Sequence, residues 1–180
     1  MKYLAIIVFL LFFGAAKSQT EYNSPPIDSV TNSVLYRYVF ESQNTKDVLY
    51  DLSLEWVISV FNNSNYTIRL NDKESGKIIC KGSFICIIPM GIFNEPIGTI
   101  DFTLSIVVKD FKCKIEIFDV SHDNIKDPIG GDLSDEKPDY AGMGYKKSLW
   151  PKIKHYADAE IISIIKSYYA KINTKVDNDW

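Results

Sequence analysis

The sequence predicts an α+β fold in which two helices pack on one face of an antiparallel sheet, in the order strand, helix, four strands, helix. Three observations lead there. Apolar and polar residues alternate over several segments between Val34 and Phe118, the two-residue period of strands with one dry face and one wet face. Two other segments carry apolar residues at three- and four-residue steps, the stripe of an amphipathic helix. With a single apolar sheet face and two such helices, the economical packing puts both helices on that face.

The elements follow in order. Lys2 precedes an unbroken apolar run from Tyr3 to Ala16, which ends in Ala16-Lys17-Ser18. Small residues at the two positions flanking Lys17 suit a peptidase site, so residues 1–18 read as a signal peptide. The run is shorter than the roughly 20 apolar residues that span a bilayer, and no Cys stands near the cut before Gln19 to take a lipid. Export to the periplasm or beyond is expected, with no stable membrane anchor after cleavage. Residues 19–33 form a polar leader around Pro25-Pro26, and residues 34–180 form one domain.

Within that domain Val34, Tyr36, Tyr38 and Phe40 share one strand face. Thr45 can cap a helix carrying Leu49, Leu52, Trp56 and Val60, widened by Val57 and Phe61, with Asp47 favourably placed in its first turn. Asn62-Asn63-Ser64-Asn65 stops it. Tyr66, Ile68 and Leu70 alternate up to the turn Asn71-Asp72-Lys73-Glu74-Ser75-Gly76, and a second strand carries Ile78, Cys80, Gly82, Phe84 and Cys86 on one face. Ile100 to Val108 and Cys113 to Ile117 continue the beat on either side of a tight turn at Asp110. The core, residues 46–119, thus reads as this helix followed by a four-stranded antiparallel meander. From 121 to 157 no period is sustained, and Pro128, Gly130-Gly131, Pro138 and Pro151 mark a long loop. Asp158 then caps a C-terminal helix, 158–175, with Ile161, Ile164, Ile165, Tyr168 and Ile172 in its stripe.

Charge excludes one class of partner. The chain has 20 basic and 23 acidic residues, and removal of Lys2 and Lys17 with the signal leaves 18 against 23, a net charge of -5. Only Arg37 and Arg69 are arginines, and the lysines lie scattered among carboxylates. Neither nucleic acid nor an anionic membrane surface is expected to bind. Cys80, Cys86 and Cys113 are an odd number in a compartment that permits disulfides. On one extended strand Cys80 and Cys86 would stand roughly 20 Å apart, far beyond the reach of a bridge. All three read as small buried hydrophobes.

The helix segment Leu54-Glu55-Trp56, the turn from Leu70 to Ile79 leading to Gly82, and the strand pair Thr103–Lys109 with Ile115–Phe118 carry a further clue. From Lys46 to about Asp119 the chain resembles an exported bacterial domain of unknown function with a TBP-like fold, the domain-of-unknown-function family 4468. That resemblance implies the same element order that the periodicity gives, and it implies no activity. Where many relatives have a Gly after Ile79 and an Arg near the final strand pair, Cys80 and Cys113 stand here. The fold name carries no function with it, since this chain lacks the basic saddle that DNA would require.

No G-x-S-x-G, H-E-x-x-H, Walker or dinucleotide motif occurs, and Gly142-Met143-Gly144 follows no strand. No metal site and no cofactor is expected. Asp119, His122, Asp123 and Asp127 form the nearest approach to a catalytic cluster, with a solvated turn as the plainer reading. Asp132, Asp135, Glu136 and Asp139 lack EF-hand spacing. The apolar stretch Ile87-Ile88-Pro89-Met90-Gly91-Ile92-Phe93, where a hairpin should turn, either folds back under a helix or displays Met90, Ile92 and Phe93 as a hydrophobic tip. Tyr140, Tyr145 and Trp150 offer aromatic faces to a sugar or peptide, or tuck onto the nearest helix. The expectation is therefore a non-enzymatic exported binding or envelope-associated domain that contacts a protein or cell-surface ligand. Its alternatives are a small periplasmic hydrolase or metal-dependent enzyme centred on His122 and Asp123, and a carrier of an apolar ligand between sheet and helices. No oligomeric state follows from the sequence.

Overall fold

Alternation from Lys77 to Ile117 sets the layout, and the rest of the chain packs against the dry face that it creates. The computed structural model describes residues 24–61, 66–90, 93–124, 129–142 and 146–174, with the backbone alone at positions 90 and 93. Residues 1–18, read above as a signal peptide, the expected helix stop at 62–65, Ile92, Asp127 and Tyr145 lie outside the described residues. The elements are β1 (Leu35–Glu41), α1 (Lys46–Phe61), β2 (Thr67–Asp72), β3 (Lys77–Met90), β4 (Phe93–Lys109), β5 (Lys112–Asp123), β6 (Ile129–Asp132), β7 (Tyr140–Ala141) and α2 (Leu149–Ile172). Strands β2 to β7 follow one another in sequence order, and β1 joins the far edge of β5, with every pairing antiparallel. Strands β1 and β6 thus share that edge, β1 along Lys112–Phe118 and β6 at Ser121–His122.

One face is dry. Ile78, Cys80, Ile100, Phe102, Leu104, Ile106, Ile115 and Ile117 are buried on it, while Lys77, Lys81, Asp101, Lys112 and Lys114 keep contact with water on the other. Both helices pack on the dry face. Phe61 of α1 packs on Phe102, and Tyr156 and Tyr168 of α2 pack on Phe84 and Phe40. The helices meet where the Trp56 and Tyr168 rings lie 4.9 Å apart. The α+β class and the shared helix face expected from the pattern are what the chain adopts.

Four expectations need correction. The buried stripe of α1 runs through Leu49, Tyr50, Ser53, Trp56, Val57 and Phe61, so Leu52 and Val60 fall outside it. Ser53 is tolerated inside because its hydroxyl donates to the Leu49 carbonyl at 2.6 Å and shares a 2.9 Å hydrogen bond with the Tyr168 hydroxyl. The side chain that meets the start of α1 is Asp110, whose carboxylate accepts the Lys46 N–H at 2.8 Å; Thr45 supplies its carbonyl to Leu49 N–H. The segment 121–157 is also not one loop. It contains the end of β5, β6, β7 and the opening of α2, which starts at Leu149 rather than 158. Pro151 does not break that helix, because first-turn residues need no intrahelical N–H partner. Asp158, read as a cap, instead lies mid-helix and accepts a 2.8 Å hydrogen bond from Tyr36 OH.

The three cysteines are buried thiols with no bridge among them. Burial pushes Cys80 up to about 11 and Cys86 up to about 12, so neither is a nucleophile at neutral pH.

The opening turns of α2 are as much core as its middle, and Ile153 is fully buried there. Ile153→Ala should therefore cost about 2–5 kcal/mol in urea unfolding, whereas Ile58→Ala, on the wet side of α1, should stay within about 0.5 kcal/mol. A small loss at Ile153 would mean that residues 149–157 add little to the fold.

Candidate functional site

Strands β3 and β4 run on beyond their neighbours. Strand β2 pairs with β3 only from Lys77 to Lys81, and β5 follows β4 no further than Thr99. From Ile85 to Met90 and from Phe93 to Ile97 each strand has only the other as a partner among the described residues, so this stretch is a two-stranded arm. Its period persists across a register shift between Ile85 and Ile87. Cys86 and Ile88 face inward and are buried, while Ile85 and Ile87 face outward with 58% and 39% of their surface exposed. Helix α2 supports the arm from beneath: Tyr156 OH donates to the Ile85 carbonyl at 3.3 Å, and the Tyr156 ring packs on Phe84.

Met90 and Phe93 pair across the tip of this arm, and Ile92 lies outside the described residues. Among the described side chains of the arm, the exposed apolar pair is Ile85 and Ile87. Its signal is present in the sequence, since extending the β3 alternation by two steps puts both on the wet face.

Among the described residues, Asp119, His122 and Asp123 at the end of β5 do not assemble. Asp119 has a left-handed backbone, φ 53°, beside a register shift in the β4–β5 ladder, and there it accepts a 3.0 Å hydrogen bond from Thr103 Oγ1. That slip reverses the phase of the strand, so His122 points inward and is only 2% exposed. It is not in a solvated turn. Its Nε2 lies 3.0 Å from the Ile97 carbonyl, which can only accept, so Nε2 carries the proton. The Trp150 ring meets it edge-on at 6.2 Å. Burial holds the imidazole below its ordinary pKa, against the opposing pull of the Ile97 and Ile129 backbone and of the Asp123 charge. Gly98 makes this approach possible: it has φ 125°, and a Cβ there would stand 2.9 Å from His122 Nε2. His122 is a neutral stitch between β4 and β5.

Asp123 is the acceptor for Tyr140 OH. Asp132 takes the N–H and hydroxyl of Ser134, each at 2.7 Å, in a local turn. Trp150 is buried, its indole N–H donating to the Asp135 carbonyl at 3.0 Å, so it does not present a stacking face. No group of three or more His, Cys, Asp or Glu side chains converges among the described residues. An apolar groove of about 200 Å³ between β1 and α2, lined by Tyr38, Phe40, Ile162, Ile165, Lys166 and Tyr169, is smaller than the roughly 300 Å³ of common ligand pockets.

The family model described as a domain of unknown function (DUF4468) with TBP-like fold matches residues 27–123. The chain belongs to this DUF4468 family. The match is wider than the segment 46–119 that carried the resemblance, since it takes in β1 and the end of β5. Strands β6 and β7 and helix α2 lie beyond it. Among solved structures, a TBP-like protein from Parabacteroides distasonis ATCC 8503 superposes with a TM-score of 0.63 at 15% identity, covering 82% of this chain and 96% of that one. A DUF4468 family protein from Bacteroides ovatus ATCC 8483 gives 0.58 at 12% identity, with coverage of 85% and 94%. At such identities the likeness is one of fold. No curated protein matches the chain.

The buried imidazole gives the DUF4468 domain an acid-sensitive joint. A folded pKa below the unfolded value means that the unfolded chain binds the extra proton first, so stability is complete above about 6.5 and falls as the pH drops below it. The slope approaches at most about 1.4 kcal/mol per pH unit for one proton. His122→Gln keeps a donor for the Ile97 carbonyl without a titrating ring, and subtracting its stability curve from the parent's should leave that slope. Parallel curves between pH 5 and 7 would show that His122 is not the source.

Proposed function

We propose that this DUF4468 protein is exported and acts as a non-enzymatic binding domain of the cell envelope, contacting a protein or cell-surface ligand through the β3–β4 arm. The observation that carries this reading is the exposure of Ile85 and Ile87, side by side on the outer face of a two-stranded extension. Apolar side chains on a projecting element mark contact surfaces more often than scattered surface leucines or isoleucines do. A hydrolase centred on His122 and Asp123 has less support, since the imidazole is buried as a donor to Ile97 and the carboxylate holds Tyr140. A carrier of an apolar ligand would need more room than the groove beside β1 provides. Export rests on Lys2, the apolar run Tyr3–Ala16 and the small residues around Lys17.

A photo-crosslinking residue at position 87 in the native host should give a discrete adduct that Ile85→Asp abolishes, while the same residue at position 58 on α1 gives none. Equal adducts at both positions, or none at 87, would remove the arm as the contact. The mature chain should begin at Gln19 by N-terminal sequencing, and recovery of an intact Met1 chain from the cytoplasm would end the envelope assignment.

A further inference from the structure

Among the described residues strand β1 leaves one of its edges largely open. The Leu35 N–H points away from β5 and donates to the Pro26 carbonyl at 3.0 Å, while the Ser42 N–H, of opposite parity, donates to the Phe111 carbonyl beside β5 at 3.0 Å. Backbone groups two residues apart in a strand point the same way, so the N–H groups of Arg37, Val39 and Glu41 also face away from β5. Among the described residues the leader pairs with the strand only at its start, through the Ile27–Val34 bridge and Pro26, and Pro26 has no N–H to return to the Leu35 carbonyl. Among the described residues β1 has no strand partner but β5. It carries no proline and no register shift, and Val39 is 55% exposed. Natural edge strands are usually blunted by such devices. The apolar groove bordered by Tyr38 and Phe40 lies beside this edge on the helix side.

We propose that a second copy of this chain pairs antiparallel with β1 about a two-fold axis at Val39, joining the two sheets into one. Charge sets that register. Within one chain Arg37 lies opposite Glu116, with Nε 2.6 Å from the carboxylate, and Glu41 lies opposite Lys112. An axis at Val39 places Arg37 of one copy opposite Glu41 of the other, so that four adjacent strands read Glu116, Arg37, Glu41, Lys112, alternating in sign. The two-fold axis repeats this row on its other side. On the helix face Tyr38 of each copy meets Phe40 of the other, which covers the apolar groove from both sides. Neighbouring registers are worse. Sliding one pair toward the N-terminus brings Glu41 of the second copy against Leu35, whose N–H already belongs to Pro26. Sliding the other way faces Arg37 with Gln43, and one step further sets Glu41 against Glu41. The chosen register forms roughly six ladder hydrogen bonds between outward N–H and C=O groups.

Sedimentation equilibrium of the purified protein across the micromolar range tests this directly, and a monomer–dimer equilibrium is expected. Arg37→Glu alone sets two acids against each other across the seam, and Glu41→Arg alone sets two bases. Each should weaken the dimer at least about tenfold. An equimolar mixture of the two variants should restore it, because in the mixed dimer positions 37 and 41 again pair an acid with a base at both ends of the seam. Circular dichroism checks that each variant is folded. Hydrogen exchange on the parent chain needs no variant: the amides of Arg37, Val39 and Glu41 should become protected as concentration rises. A parent chain that stays monomeric, a dimer indifferent to both substitutions, or amides protected independently of concentration, as when the leader itself covers the edge, would each overturn the proposal.

Discussion

The register of β4 between β3 and β5 is the constraint on which the molecule depends. Side chains alternate along a strand, so a slip of one residue would turn Ile100, Phe102, Leu104 and Ile106 out to water and set Asp101 and Lys109 beneath the helices. Two left-handed turn residues pin the ladder. Gly76 closes the β2–β3 turn at φ 67°, where a Cβ would stand 3.1 Å from Val108 Cγ2, and its carbonyl accepts the Val108 N–H at 2.8 Å. Phe111 closes the β4–β5 turn at φ 61°, a costly conformation for a residue with a side chain. The cost is offset in the loop after β1, where the Phe111 N–H donates to the Asn44 carbonyl and the Phe111 carbonyl accepts the Ser42 N–H, each at 3.0 Å. The turn that fixes the register therefore also fixes where α1 begins.

Helix α2 is held to this scaffold by apolar burial along Ile153, Ala157, Ile161, Ile165 and Tyr168, and its rotation is fixed by polar groups spaced along it. Trp150 donates to Asp135, Asp158 accepts from Tyr36, and Tyr168 pairs with Ser53. Each joins α2 to a different element or loop, and each satisfies a polar atom that burial would otherwise penalise. Ser42 and Asn44 give their side-chain donors to the Ile172 carbonyl, closing the far end. Burial alone would tolerate small rotations of the helix; these partners do not.

The strands and helices of the core are legible because each has to bury one face and expose the other, and that demand writes a period into the chain. What cannot be read has a different cause in each case. The start of α2 is hidden by Pro151, although Trp150, Ile153, Ala157 and Ile161 already keep helical spacing. Strand β6, Ile129-Gly130-Gly131-Asp132, is too short and too rich in glycine to show alternation. Ser53 is fully satisfied inside because Tyr168, more than a hundred positions away, adds a second partner to the Leu49 carbonyl. His122 escapes because the backbone at Asp119 reverses the strand phase, and no local pattern announces such a bulge. For the candidate site, the apolar run draws attention to the tip at Met90, Ile92 and Phe93, whose side chains lie outside the described residues, and the exposed pair Ile85 and Ile87 follows from extending the β3 alternation.

The two surfaces proposed for contact lie on opposite sides of the sheet. Strand β1 borders β5, whereas the arm grows from β3 and β4, with the unpaired side of β3 beyond its short partner β2. Three strand steps separate β1 from β3, roughly 14 Å at ordinary strand spacing. Pairing along β1 therefore leaves Ile85 and Ile87 uncovered, and a two-fold dimer carries one arm toward each outer end of the joined sheet. Two weak apolar contacts on one rigid body reinforce each other when both reach the same surface, since the second binds at the high effective concentration set by the first. If the arm binds as proposed, the two exposed side chains described on it, Ile85 and Ile87, make a weak contact alone and a stronger one in duplicate, and the pairing proposed along β1 would supply that second copy.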